Sequence, residues 1–108
     1  MPDEDLGHTH SVFAPFFGIA TATLPVVGRV AKMTEAKVIP AFCRLDEDGR
    51  YHVTLGPALP GFPQNDAVTD ATVVNAAFEV GIRSAPAQYL WTLRWFRTRP
   101  NDEPSPYE

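Results

Sequence analysis

The sequence has little cysteine, no excess of basic charge and no long apolar run, and each shortage removes a class of protein. A single cysteine, Cys43, in 108 residues leaves no internal disulfide, so a reducing, cytosol-facing setting is expected rather than a disulfide-stapled scaffold. No stretch near Met1 has the apolar region of a signal peptide, and no run approaches the roughly 18 apolar residues of a spanning helix. Nine Lys and Arg stand against thirteen Asp and Glu, a formal net charge of -4 with both signs dispersed, which argues against nucleic acid as a partner. Internal repeats and low-complexity tracts are missing too, and the eleven prolines are scattered as boundaries. What is left is one small domain, or part of one, with enough apolar residues for a core.

The chain is organised around Ser11-Val12-Phe13-Ala14-Pro15-Phe16-Phe17-Gly18. Apolar residues surround Pro15 and Gly18 closes the run, so the backbone must turn sharply in an apolar setting. Core packing and the lining of an apolar groove both fit such a stretch. Before it, Met1 to His10 is polar and reads as a solvated tail or loop. His8 and His10 near Asp3 and Asp5 resemble metal ligands only weakly, since no third spaced ligand follows, and no metal or other cofactor is assigned.

Val12 to Ala14 reads as a short buried strand, and the small Ala/Thr segment after Gly18 leads into a helix begun at Pro25. On that helix Val27, Val30, Ala31 and Thr34 share the face expected to be buried, opposite Arg29, Lys32 and Glu35. Lys37 to Leu45 reads as a strand with Pro40 at an end or bulge and Cys43 in the core. Asp46-Glu47-Asp48-Gly49 is a turn, and Arg50 to Leu55 alternates as the return strand of a hairpin. After a Pro/Gly connection, Asn65-Asp66 cap a helix over 67–84. Val74, Phe78 and Ile82 mark its inner face, widened by Val73, Ala77 and Val80, with Asp70, Asn75, Glu79 and Arg83 on the wetter side.

The order of elements predicts an α/β piece of a three-layer sheet-and-helix fold, with three to four strands and two to three helices. So few strands cannot fill such a fold, and upstream strands are expected to be missing, leaving an uncovered sheet edge and apolar face. Residues 85–100 are dense in aromatics and arginines, with Tyr89, Trp91, Trp95 and Phe96 among Arg94, Arg97 and Arg99. Aromatics closing a core beside solvated arginines, or a face for a membrane interface or phosphates, both fit that composition. Asn101 to Glu108 is a charged, Pro-containing tail expected to be disordered.

Several of these blocks together resemble the lipid A biosynthesis acyltransferases, the lauroyl/myristoyl transferases of the wider lysophospholipid acyltransferase superfamily. Pro2-Asp3-Glu4-Asp5-Leu6-Gly7 is similar to that family's Pro-Asp-x-Asp-x-Gly block, and Ser11 to Gly18 to its apolar Pro-Phe-Phe-Gly block. Leu24 to Pro40, with Arg29 and Ala36-Lys37-Val38-Ile39-Pro40, resembles the segment that follows. Gln88-Tyr89-Leu90-Trp91, then Arg94 and Phe96 to Pro100, is similar to the terminal signature, from which Ala87, Leu93 and Trp95 depart. The resemblance spans nearly the whole chain in the right order.

The resemblance implies transfer of a fatty acyl chain from an acyl-carrier-protein thioester to a hydroxyl of a lipid A precursor, at the cytoplasmic face of the bacterial inner membrane. It also implies a catalytic His-x4-Asp/Glu pair, which this sequence lacks: none of His8, His10 and His52 is followed by a carboxylate at that spacing. No catalytic residue is therefore assigned. Residues 1–100 are expected to be the C-terminal portion of such an enzyme, inactive without the missing N-terminal half. Carried over residue by residue, Asp3, Asp5 and Gly7 border the acceptor side, Phe13, Phe16 and Phe17 support the site from behind, and Arg94, Arg97 and Arg99 meet the acceptor's phosphates or anionic headgroups. The alternative expectation is a non-catalytic remnant that binds a membrane or partner through Tyr89 to Arg99.

Overall fold

The computed structural model describes residues 4–89 and 91–107. Strand β1 (Val12–Phe16) turns back into β2 (Ile19–Thr23) as an antiparallel hairpin with Phe16 opposite Ile19 and Val12 opposite Thr23. The two residues between them, Phe17 and Gly18, have φ of 49° and 77°, the positive pair whose twist matches paired strands. The Ala/Thr segment read as a lead-in is thus a strand, hidden because small residues carry no strong alternation. Helix α1 (Val26–Thr34) follows directly from Pro25, and β3 (Ala41–Leu45) begins directly after Pro40. Its partner β4 (Tyr51–Leu55) returns through the acidic turn, where Asp46 Oδ1 accepts from the N–H groups of Asp48 at 3.0 Å and Arg50 at 2.9 Å.

Helix α2 (Ala67–Ser84) has the bounds that its periodicity predicts, and Asp66 caps it by accepting from the Thr69 N–H at 3.2 Å. Among the described residues four strands and two α-helices make the α/β fragment expected, with the strands paired as two separate antiparallel hairpins. The body measures 45 × 39 × 19 Å, a thin slab in which α2 packs on the β1–β2 hairpin. Ala14, Phe16, Ala22, Val74, Ile82 and Trp95 are among the buried core residues.

Several expected orientations are reversed, each for a local reason. On α1 the buried residues are Gly28 and Ala31, while Val30 and Thr34 are exposed. Gly28 is where α1 meets α2: a Cβ there would stand 2.9 Å from Asp70 Oδ2, so the missing side chain rather than a large one defines the inner face. On α2, Asp70 and Asn75 are buried and Val80 is exposed. Both polar groups are satisfied where they lie, Asp70 Oδ1 by the Gln64 N–H at 2.8 Å and Asn75 Nδ2 by donating to Pro15 O at 3.2 Å and Thr23 Oγ1 at 2.9 Å. Cys43 is exposed instead of buried, because it is Phe42, its neighbour on the opposite face of β3, that turns toward α2.

Candidate functional site

Asp5 joins the two ends of the sequence. Gly7, with φ of 83°, bends the backbone so that its N–H reaches Asp5 Oδ1 at 3.1 Å. Asp5 Oδ2 accepts from the Thr98 N–H at 2.7 Å, and Arg97 Nη2 donates to the Asp5 carbonyl at 3.1 Å while standing 3.9 Å from Oδ1. Burial pushes the Asp5 carboxyl up, but the hydrogen bonds from Thr98 and Gly7 and the Arg97 charge together hold it below its ordinary value. A carboxylate with this many donors is a clasp that remains ionised, not a proton carrier. Asp3 lies outside the described residues.

Beside the clasp is a cleft of about 370 Å³ lined by Glu4, Asp5, Leu6, Leu93, Arg94, Trp95 and Arg97. Arg94 and Arg97 are exposed at this cleft. Arg99 is placed differently: its side chain is 15% exposed, Nη1 donates to Ala20 O at 2.6 Å, and Nη2 pairs with Glu103 at 2.9 Å. It therefore ties the last block to β2 from inside. The described part of the terminal segment also folds back, with the Phe96 N–H donating to the Tyr107 hydroxyl at 3.3 Å.

Of the terminal block's aromatic residues Trp95 is buried, and Tyr89 and Phe96 pack half-buried around the central hairpin. Phe16 packs edge-on against Phe17 at 4.8 Å between centroids and lies 6.0 Å from Phe96, and Tyr89 stacks on Trp95 at 5.5 Å. Phe17, a bulky residue at positive φ, is held from three sides. Its N–H donates to Glu79 Oε1 at 2.7 Å, the Arg83 guanidinium lies 5.0 Å from its ring centre, and Trp91 is 5.8 Å away. Phe13 stands apart from this group, edge-on to His8 at 5.6 Å. The structure thus brings together Asp5, Arg94 and Arg97 at the cleft, with Gly7 bonded to Asp5, while Phe16 is buried in the core and Phe17 packs against it.

The sequence places Glu79 on the wetter face of its helix and Gln88 and Thr98 in the terminal block, but assigns none of them the contacts they make. The Gln88 side chain accepts from the Leu45 N–H at 2.8 Å and donates to the Leu45 carbonyl at 2.9 Å, completing the outer edge of β3 like a one-residue strand. No spacing rule links residues this far apart. Among the described residues, no three His, Cys, Asp or Glu side chains group to hold a metal, and no helix is long and apolar enough to cross a membrane.

The clasp unites the Asp5-x-Gly7 block with the terminal block, the two ends of the motif set that resembles the acyltransferases. The family model described as bacterial lipid A biosynthesis acyltransferase matches residues 1–98. A lipid A biosynthesis acyltransferase of Haemophilus influenzae is 40% identical over 95% of this chain and 32% of its own length. The lipid A biosynthesis myristoyltransferase of Escherichia coli is 35% identical over 100% of this chain and 34% of its own, and the lauroyltransferase of the same organism 38% over 98% and 35%. No solved structure matches the chain. The chain belongs to the bacterial lipid A biosynthesis acyltransferase family, and it spans about a third of the length of the curated relatives it matches.

Proposed function

We propose that this chain is the acceptor-side portion of a lipid A acyltransferase that takes its acyl group from acyl-carrier protein at the cytoplasmic face of the inner membrane. In the proposed reaction the acceptor hydroxyl oxygen attacks the thioester carbonyl carbon. The C–S bond breaks as the ester C–O bond forms, and the hydroxyl proton passes through a histidine base to the departing thiolate. That histidine belongs to a His-x4-Asp/Glu pair that this chain lacks, so the role left to these residues is holding the acceptor.

The observation that carries the reading is the cleft beside the Asp5 clasp, which the exposed Arg94 and Arg97 line. Guanidinium groups suit the phosphates of a lipid A precursor or the headgroups around it. Labelled acyl-carrier protein and a lipid A precursor test this. The chain alone should give no transfer, and the chain grafted in place of the matching third of the Escherichia coli myristoyltransferase should give transfer that Arg94→Ala weakens. Transfer by the chain alone, or a graft indifferent to Arg94, would overturn it.

A second reading, a non-catalytic membrane-binding module, is favoured by the exposure of Trp91 and Leu93 beside Arg94. Vesicles containing phosphatidylglycerol should then bind the chain alone, and Trp91→Ala should release it.

A further inference from the structure

The β3–β4 hairpin carries an apolar face that the described residues leave exposed. The register pairs Ala41 with Leu55, Cys43 with Val53 and Leu45 with Tyr51, so six uncharged side chains alternate onto one side of the ladder. Tyr51, Val53 and Leu55 are 74%, 68% and 68% exposed. On the opposite side Phe42 lies on Gly81 of α2, which anchors the hairpin there. Two strands are too few to stand alone in water, and an apolar sheet face of this kind is built to be covered. The slab is 19 Å thick, which accommodates one helix layer on one sheet layer, with sheets and helices packing about 10 Å apart. Among the described residues no third layer lies on the naked side.

We propose that this face is the docking surface for the part of a lipid A acyltransferase polypeptide that the chain does not span. The inference rests on the family reading of the proposed function. The size of the occupant supports it: the matched relatives devote about two-thirds of their length to residues outside the portion this chain aligns with, enough for further layers. Charge supports it as well. Asp46, Glu47 and Asp48 outnumber Arg44 and Arg50 around the hairpin tip, which disfavours an anionic bilayer as the occupant.

Cys43, the chain's only cysteine, sits in the middle of the face and reports on it. N-Ethylmaleimide labelling, read at the Cys43 peptide by mass spectrometry, is followed in the 108-residue chain and in the chain grafted into the Escherichia coli myristoyltransferase. Labelling is expected to be fast in the chain alone and at least tenfold slower in the graft. Val53→Asp should restore fast labelling in the graft, while the conservative Val53→Ile should keep it slow. Equal labelling in the two proteins, or a graft that does not fold, overturns the proposal. So does protection of Cys43 in the chain alone that grows with its concentration, which means a second copy, or with added phosphatidylglycerol vesicles, which means a membrane. Acyl transfer measured on the same graft separates the two readings: protection without transfer leaves the docking and removes the proposed function, and transfer without protection does the reverse.

Discussion

The Phe42 ring lies directly on the backbone of Gly81, so close that a Cβ at position 81 would stand 1.9 Å from ring carbon Cε1. This contact fixes the β3–β4 hairpin against α2, and it exists because glycine leaves the helix surface bare. Gly81→Ala would gain up to about 1 kcal/mol of helix propensity but must expel the ring. A net loss of roughly 1–3 kcal/mol is expected, as for other overpacked contacts. Thermal melting checks it, and Gly81→Ala combined with Phe42→Ala should recover part of the loss.

Asp5 makes stability depend on pH in a defined direction. Its carboxyl is held below its ordinary value of 3.8, so its contribution is fully present above that value and is lost as pH falls through the lower folded-state value. Asp5→Asn should therefore narrow the difference between urea midpoints measured at pH 6 and pH 2.5. Asp5→Ala strips the partners from the Thr98 and Gly7 N–H groups and should cost about 1–3 kcal/mol at neutral pH.

Asn75 is 1% exposed and ties α2 to both strands of the first hairpin through Pro15 and Thr23. Asn75→Ala is expected to destabilise by roughly 1–3 kcal/mol, since it opens a gap and strands the Pro15 carbonyl. Asn75→Asp should be worse, because it places a charge where the Pro15 carbonyl needs a donor. Urea unfolding of the two variants gives the order.

The arginines of the terminal block should divide by function. Arg99→Ala should lower the melting temperature, because Arg99 bonds Ala20 and Glu103 inside the fold. Arg94→Ala should leave the melting temperature unchanged and weaken binding to anionic vesicles or to a lipid A precursor by about 1 kcal/mol, roughly fivefold. Equal effects of the two variants on melting would contradict this division.

The sequence by itself determined the local elements whose signals are local. Helix α2 was legible from end to end because Asp66 supplies its cap and its apolar positions recur at helical spacing. The second hairpin was legible from the acidic turn closed by Gly49 between two β-rich runs. The family motifs, too, are contiguous and could be read in place. Orientation was decided elsewhere. Which face of a helix turns inward depends on what lies across from it, and Gly28 and Gly81 define inner faces by having no side chain for a pattern to register. Burial of Asp70 and Asn75 depends on partners that only folding supplies, and the exposure of Cys43 follows from Phe42 taking the side of β3 that faces α2. The tertiary structure alone decided how the residues of the candidate site meet. The clasp from Asp5 to Thr98 crosses nearly the whole chain, and no periodicity or spacing encodes a hydrogen bond between residues that meet only after the hairpins and helices have packed.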